Sequence, residues 1–220
     1  MVHNLALSNS LISQYLSEMR DEEVQRDSLR FRTNLERIGS LMAYEISKTL
    51  EYEVKDIQTP LAISQSSVLK DKIVLTTILR AGLPLVNGFL TAFDKAESGF
   101  VTAYRKYINE KEFEVKVEYM SAPKLDNKIL ILSDPMLATG TSMLMGYKAL
   151  LRNGRPKHTH IVAVLATDEA IEYLKKNIDE SEITIWTAAI DPVLTSHSYI
   201  SPGLGDAGDL AYGEKVDHKD

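Results

Sequence analysis

Apolar positions in the first fifty residues recur at helical spacing. Leu11, Ile12, Tyr15, Leu16 and Met19 form one stripe after Ser8 and Asn9, either of which suits a helix cap. Phe31, Leu35, Ile38, Met42, Ile46 and Leu50 form a longer one, predicting a helix over roughly 28–50. Further on, short β-branched runs alternate with helical patterns. Strands are predicted at 73–79, 98–104, 129–132, 161–166 and 183–189, with helices at 84–93, 142–152 and 169–176. This alternation implies an α/β fold, a parallel β-sheet flanked by helices on both faces.

Two segments break the rhythm. In Phe113-Glu-Val-Lys-Val-Glu-Tyr119 apolar and charged residues alternate strictly, as in a strand with one wet face. Together with Tyr104–Tyr107 it predicts a projecting antiparallel hairpin over residues 105–120, either an edge or subunit contact or a cover for an active site. Residues 196–209 hold Pro202, Gly203, Gly205 and Gly208 in their second half. That density excludes a regular element and leaves a linker or a loop shaped around a ligand. The organisation expected is one domain over 1–220, with an N-terminal helical arm (1–55), the hairpin and a C-terminal loop over 196–213.

Composition narrows the function. At 220 residues, 44% hydrophobic and 25% charged, the chain suits one large soluble core. Absence of cysteine excludes disulfides and thiolate catalysis and fits a cytoplasmic setting. With no apolar run near membrane-spanning length and no signal-like N-terminus, no membrane association is expected. The formal net charge is −6 and no basic stripe interrupts it, so nucleic acid is not an expected partner.

The chemistry concentrates in Ile129-Leu-Ile-Leu-Ser-Asp-Pro-Met-Leu-Ala-Thr-Gly-Thr-Ser142. A buried strand runs into one carboxylate, Asp134, and then into a loop of small and hydroxyl-bearing residues that opens a helix. Ligands of parallel sheets sit beyond the carboxyl ends of the strands. Ala138, Thr139, Gly140, Thr141 and Ser142 are small enough for backbone N–H groups to close on an anion, aided by the helix N-terminus. The loop has no lysine, so it suits a monophosphate and not a triphosphate. Asp134 can accept hydrogen bonds from a pair of sugar hydroxyls. The plain alternative is a well-capped strand-to-helix turn. Arg80, followed by Ala81 and Gly82, and Arg105 end two further strands on the same rim, where a guanidinium suits an oxyanion. In the tail, Asp206 could hydrogen-bond to a flat polar ligand or to a bridging metal. His158 and His160 lack a third ligand nearby and read as ordinary surface and core residues.

Three motifs together resemble uracil phosphoribosyltransferase, of the type I phosphoribosyltransferase superfamily: Ile78-Leu-Arg-Ala-Gly-Leu83, Asp134-Pro-Met-Leu-Ala-Thr-Gly140 and Tyr199-Ile-Ser-Pro-Gly-Leu-Gly-Asp-Ala-Gly-Asp209. The likeness runs from about residue 10 to 213. It implies a phosphoribosyltransferase-like fold and transfer of the phosphoribosyl group of phosphoribosyl diphosphate to uracil, giving UMP. Residues Asp134, Pro135, Met136, Leu137, Ala138, Thr139, Gly140, Thr141 and Ser142 would then hold the phosphoribosyl group. Arg80 and Arg105 would meet the diphosphate. Ile200, Gly205, Asp206 and Ala207 would frame uracil, with Asp206 also reaching the other substrate. Asp134, Arg105 and Asp206 would be the catalytic residues, and Mg²⁺ would arrive with the diphosphate. A homodimer or larger homo-oligomer, and GTP as an effector, are further implications. The family usually has Gly-Gly-Ser where this chain has Gly140-Thr141-Ser142, an acidic stretch after its rim arginine, and an aliphatic residue at the place of Ser201. A second reading is a non-catalytic nucleotide-binding regulator on the same scaffold.

Overall fold

The computed structural model describes residues 1–107, 113–196 and 198–215, with the side chains of 103–107 and 113–116 left out. The elements are β1 (Val2–Asn4), α1 (Leu11–Arg20), α2 (Ser28–Ser47), β2 (Tyr52–Gln58), β3 (Ile63–Leu69), β4 (Ile73–Leu79), α3 (Gly82–Ala92), β5 (Glu97–Tyr107), β6 (Phe113–Ser121), β7 (Ile129–Ser133), β8 (Met136–Leu137), α4 (Thr141–Leu150), β9 (His158–Thr167), α5 (Asp168–Asn177), β10 (Ile183–Asp191), β11 (Val193–Leu194), β12 (Ile200–Ser201) and α6 (Ala207–Tyr212). The main sheet runs β1-β10-β9-β7-β4-β5-β6, with β8 beside the end of β9. Its pairings are parallel except for β6, which returns antiparallel to β5.

The inner strands are apolar on both faces because both faces are covered. Successive residues of β4, β7 and β9 point alternately into two cores. Leu75, Ile131 and Val164 meet α1, α2 and α3 on one side. Val74, Leu130 and Ala163 meet α4 and α5 on the other. The predicted stripe of α2 is the buried one: Phe31, Leu35, Ile38, Met42 and Ile46 are at most 1% exposed. Removing one such side chain, as in Phe31→Ala, costs about 3–5 kcal/mol through lost burial and a residual cavity. The cap of α1 is Ser10, one residue beyond the two predicted, and Asp27 caps α2.

Three features depart from the expected elements. Helix α2 ends at Ser47, and β2 pairs with β3 as a separate antiparallel hairpin, Tyr52 opposite Leu69 and Gln58 opposite Ile63. Most of its residues are exposed, so no buried face imposed an alternation that could be read. Residues 2–4 are not helical but add an edge strand beside β10. The tail carries regular structure after all. β12 pairs with β11, and Asp206 starts the short helix α6, which Gly213 ends. The hairpin predicted over 105–120 is present as the edge of the main sheet, paired from Phe100 opposite Ser121 to Tyr107 opposite Phe113, with a bulge between Thr102 and Ala103; its turn lies outside the described residues.

Candidate active site

The order of the strands selects one crevice. The chain leaves β4 through α3 to reach β5 on one side, whereas β7 lies against β4 on the other. The two crossover helices that follow these strands cover opposite faces of the sheet, α3 in one core and α4 in the other. Such a switch point opens a gap between loops at the carboxyl ends of the strands. Here those ends are Leu79-Arg80, joined by a cis peptide bond, and Ser133-Asp134.

Beneath the gap lies a buried hydroxyl layer. Thr77 Oγ1 donates to the Ser133 carbonyl at 2.8 Å, and Ser133 Oγ reaches Thr77 Oγ1 at 3.1 Å and the Thr76 carbonyl at 3.2 Å. These bonds tie β4 to β7 at the floor of the site. Threonine and serine are small enough to sit in a parallel sheet while satisfying one another.

From Asp134 the chain steps across to the next strand. The Asp134 N–H donates to the Val162 carbonyl at 3.0 Å, and the Pro135 carbonyl accepts from Val164 and Leu165 at 3.0 and 2.9 Å. Met136 and Leu137 then pair with Leu165 and Ala166 as β8. Thr167 Oγ1 donates to the Ala138 carbonyl at 2.7 Å while accepting the Ala170 N–H at 3.1 Å, so one hydroxyl both pins the loop and caps α5. Pro135 and Leu137 are buried; their side chains brace the loop from below. Gly140 turns the chain into α4 at φ +78°, where an added Cβ would lie 3.0 Å from Tyr173 and 3.1 Å from the Ala170 carbonyl. Thr141 is the first residue of α4 and does not share that positive φ. Its β-carbon therefore meets no backbone strain, and its hydroxyl accepts from Thr139 Oγ1 at 3.1 Å.

The helix termini differ in a telling way. Side chains cap α1, α2, α5 and α6, through Ser10, Asp27, Thr167 and Asp206. The N-cap residues of α3 and α4, the two helices that begin at the switch point, are Ala81 and Gly140 and make no side-chain cap bond; in α4 Thr139 Oγ1 accepts the Thr141 N–H only at 3.4 Å. In α4 the Ser142 and Met143 N–H groups and the partial positive charge of the helix end are left for an anion; in α3 the Leu83 N–H donates to the Arg80 carbonyl at 3.2 Å and Pro84 has no N–H, so only Gly82 offers a first-turn donor there.

Asp134 retains some accessible surface, yet it is hemmed in by the loop. Burial pushes its carboxyl up to about 7; the Met136 N–H, which donates to Oδ1 at 3.2 Å, opposes that, and the nearby Asp206 charge adds to it. Asp206 caps α6, accepting from the Gly208 and Asp209 N–H groups at 2.9 and 3.0 Å, while Lys215 Nζ lies 3.5 Å from its other oxygen. Arg80 is half-exposed and ties the two parts together: Nη2 contacts Asp209 Oδ1 at 2.8 Å and Nη1 donates to the Gly213 carbonyl at 3.2 Å. The crevice thus gathers Arg80, Asp134, Asp206 and the N-terminus of α4. Arg105 sits three residues past the β4-paired stretch of β5, and its side chain lies outside the described residues.

Residues 6–214 match the uracil phosphoribosyltransferase family. The uracil phosphoribosyltransferase of Porphyromonas gingivalis is 53% identical over 98% of this chain and 99% of its own length. The chain belongs to the uracil phosphoribosyltransferase family. A uracil phosphoribosyltransferase of Pyrococcus furiosus is 38% identical, covering 93% of this chain and 87% of its own. Among solved structures, the AQ2163 protein from Aquifex aeolicus is 30% identical with a TM-score of 0.86, over 99% of this chain and all of that one.

Within this family member, the 200–207 loop comes near the 134–142 loop, close enough for the Asp206 charge to act on Asp134. Ile200 is buried in the core beside Leu204 and Ala207, whereas Gly205 is exposed and Asp206 half-buried. Sequence reasoning missed what holds that loop. Arg20, at the end of α1, forks onto Asp191 with both contacts at 2.7 Å, and both touch Gly203. Asp191 followed by Pro192 at a strand end was the available signal. His160 is a core residue, as expected: it accepts from Trp186 Nε1 at 3.1 Å, and burial drives its pKa down to about 3, helped by His158 and His3.

Proposed function

We propose that this protein transfers the phosphoribosyl group of phosphoribosyl diphosphate to uracil, releasing UMP and diphosphate as a step of pyrimidine salvage. Family membership over nearly the whole chain favours this reading over a non-catalytic regulator. The observation that carries the residue assignment is the meeting at one switch point of Arg80, Asp134 and the N-terminus of α4, whose N-cap Gly140 brings no side chain.

The 5′-phosphate would enter the cradle of Ala138 to Ser142, meeting first-turn amides of α4 and the hydroxyls of Thr139, Thr141 and Ser142. Asp134 would accept the ribose hydroxyls. In the free protein its carboxyl carries a burial penalty, and two hydroxyl donors would favour the ionised form. Arg80 and Arg105 would stabilise charge growing on the leaving diphosphate; in the free protein the Arg80 guanidinium is paired with Asp209. Ile200 and Gly205 to Ala207 would frame uracil, mostly through backbone groups. A ribosyl cation-like transition state needs positioning and charge complementarity more than a protein nucleophile. Asp134, Arg105 and Asp206 are the groups assigned to the reacting centre.

Mg²⁺ would arrive on the diphosphate and offset its charge. Among the described residues no three Asp, Glu, His or Cys side chains converge as a cage. The outer oxygen of Asp206, met by Lys215 only at 3.5 Å, can accept from a metal-bound water. Exposed Val54, Ile57, Leu61 and Ile63 on the β2–β3 hairpin support assembly as a homodimer or larger homo-oligomer. We assign the enzyme to the cytoplasm; no described helix is long and apolar enough to cross a membrane. GTP as an effector is part of the same reading. The test is direct. Purified protein with phosphoribosyl diphosphate, Mg²⁺ and a panel of bases should form nucleotide with uracil, and adding GTP tests the effector. Turnover of another base with none of uracil defeats the substrate assignment.

A further inference from the structure

The 134–142 and 200–207 loops, whose Asp134 and Asp206 lie near each other, are both pinned to neighbouring strand ends. Thr167, the last residue of β9, holds the Ala138 carbonyl of the phosphate-side loop at 2.7 Å. Asp191, the last residue of β10, holds the Gly203 N–H of the base-side loop at 2.9 Å. Thr167 and Asp191 are register partners across the sheet. The spacing between the loops is therefore referenced to one rung of a parallel ladder.

The base-side anchor is a closed clamp. Arg20 Nη1 and Nη2 meet Asp191 Oδ2 and Oδ1 at 2.7 Å each, and Arg20 Nη1 also donates to the Gly203 carbonyl at 2.9 Å. Both backbone polar groups of Gly203 are thus fixed by one ion pair. Gly203 has φ +57°, and a Cβ there would run into the Ile200 carbonyl, so the chain turns tightly on the clamped residue. Asp191 is almost wholly buried, its side chain 6% exposed. Burial alone would raise its pKa, but the Arg20 fork and the Gly203 N–H hold it below the ordinary range.

A clamp of this kind is costly merely to stabilise a fold, because desolvating both charges offsets most of their attraction. What a bidentate fork supplies beyond an apolar contact is fixed geometry. Gly205 and Asp206 follow two and three residues after Gly203. We propose that Arg20 and Asp191 are positioning residues for base recognition: they set the register of Gly205 to Ala207 relative to the phosphate cradle. The inference rests on the base-site reading of that loop. It also makes α1 part of the base-binding apparatus.

The test uses Arg20→Lys, which keeps the charge but loses the fork, and Arg20→Gln, which loses both. Misplacement of a binding group by about an ångström costs up to about 100-fold. We expect uracil KM to rise about tenfold in Arg20→Lys and further in Arg20→Gln, with KM for phosphoribosyl diphosphate within about twofold of wild type. Amide hydrogen exchange of ligand-free protein is the second readout. Residues 200–207 should lose protection, graded Gln over Lys, while 133–140 keep theirs. Unchanged uracil KM with unchanged loop exchange overturns the proposal. So does a parallel rise of both KM values with a lowered thermal midpoint, which marks a generally structural role. Wild-type protein inert towards uracil defeats the transferase reading instead, and the exchange measurement then decides the clamp alone.

Discussion

The two walls of the crevice are built on different principles. The 134–140 wall is held by backbone bonds to the adjacent strand and by Thr167, 29 residues away from Ala138. The 200–213 wall is held by arginines from distant elements: Arg20 on Gly203, 183 residues apart; Arg32 on the Ala211 carbonyl, 179 apart; Arg80 on Asp209, 129 apart. The first wall is an extension of the sheet. The second is a loop drawn against helices α1 and α2 by charge. The contrast fits what each would bind. A phosphate cradle needs amides fixed in a narrow arc, and sheet and helix supply them. A base site needs flat backbone edges at a set distance, which a tethered glycine-rich loop can present.

The contrast is tested most severely at Asp134, where the first wall gives chemistry at a cost in stability. Asp134→Asn should lower kcat/KM about 100-fold, because the carboxylate we propose as acceptor for the ribose hydroxyls loses its charge. Folding should move the other way. The folded pKa, about 7, lies above the ordinary 3.8, so ionisation is penalised in the free folded state. The resulting contribution is fully present below about pH 4 and lost as pH rises through 7. The asparagine variant should therefore gain thermal stability relative to wild type between pH 5 and pH 8. Melting curves at both pH values, beside turnover, check the pair of outcomes. A variant that loses activity and stability together at pH 8 would show Asp134 to be structural.

Gly140→Val attacks the same wall through its backbone. A β-branched residue at φ +78° costs roughly 1–2 kcal/mol from the left-handed conformation alone, and the Cβ would press on Tyr173 and the Ala170 carbonyl. Urea unfolding should show a loss of at least about that size. Affinity for phosphoribosyl diphosphate should fall with it, while the 200–213 wall, anchored elsewhere, keeps its exchange protection.

How much of each wall could be read in advance follows from the same difference. The 129–142 segment is local: buried strand, carboxylate, small loop and helix are consecutive in the chain, so periodicity and residue size expose them. The switch point was implicit in the alternation of strands and helices, although strand order was not. Arg20 was illegible because it acts on a residue 171 positions along the chain, and a lone arginine in a helix has no pattern that distinguishes a clamp from a surface charge; Asp191, beside Pro192 at a strand end, carried the one local hint. Helix α6 was hidden by the glycines around it; only the Asp206 cap, two and three residues before its N–H partners, was local enough to find. The β2–β3 hairpin was invisible for the opposite reason. Mostly exposed and nowhere fully buried, it has no buried face to shape its sequence.

Asp206→Ala probes the second wall at its one local support. Losing the cap of α6 should cost about 1 kcal/mol, the usual range for an N-cap. Uracil use should suffer more than this cost implies, since Gly205 to Ala207 would no longer be ordered by the α6 terminus. Comparison of kcat/KM for uracil with urea midpoints separates the two. An effect on stability alone would leave the tail a purely structural element.

Thr141→Gly is the mildest of the changes and the sharpest on the cradle. It restores the glycine that the family usually carries there. Thr141 stands at the first helical position with ordinary φ, so no strain is relieved by removing its Cβ. Glycine in a helix is less favourable than threonine by a few tenths of a kcal/mol, at the level of about 0.3, and the Thr139–Thr141 hydroxyl contact at 3.1 Å is lost. Stability should drop by less than about 0.5 kcal/mol, within the range of ordinary surface changes. If the hydroxyl of Thr141 serves as a phosphate donor, the glycine variant weakens phosphoribosyl diphosphate binding by a small factor, about the value of one hydrogen bond. If instead its methyl crowds the phosphate, the same variant tightens binding. The sign of the change in KM for that substrate decides between a donor and an obstruction.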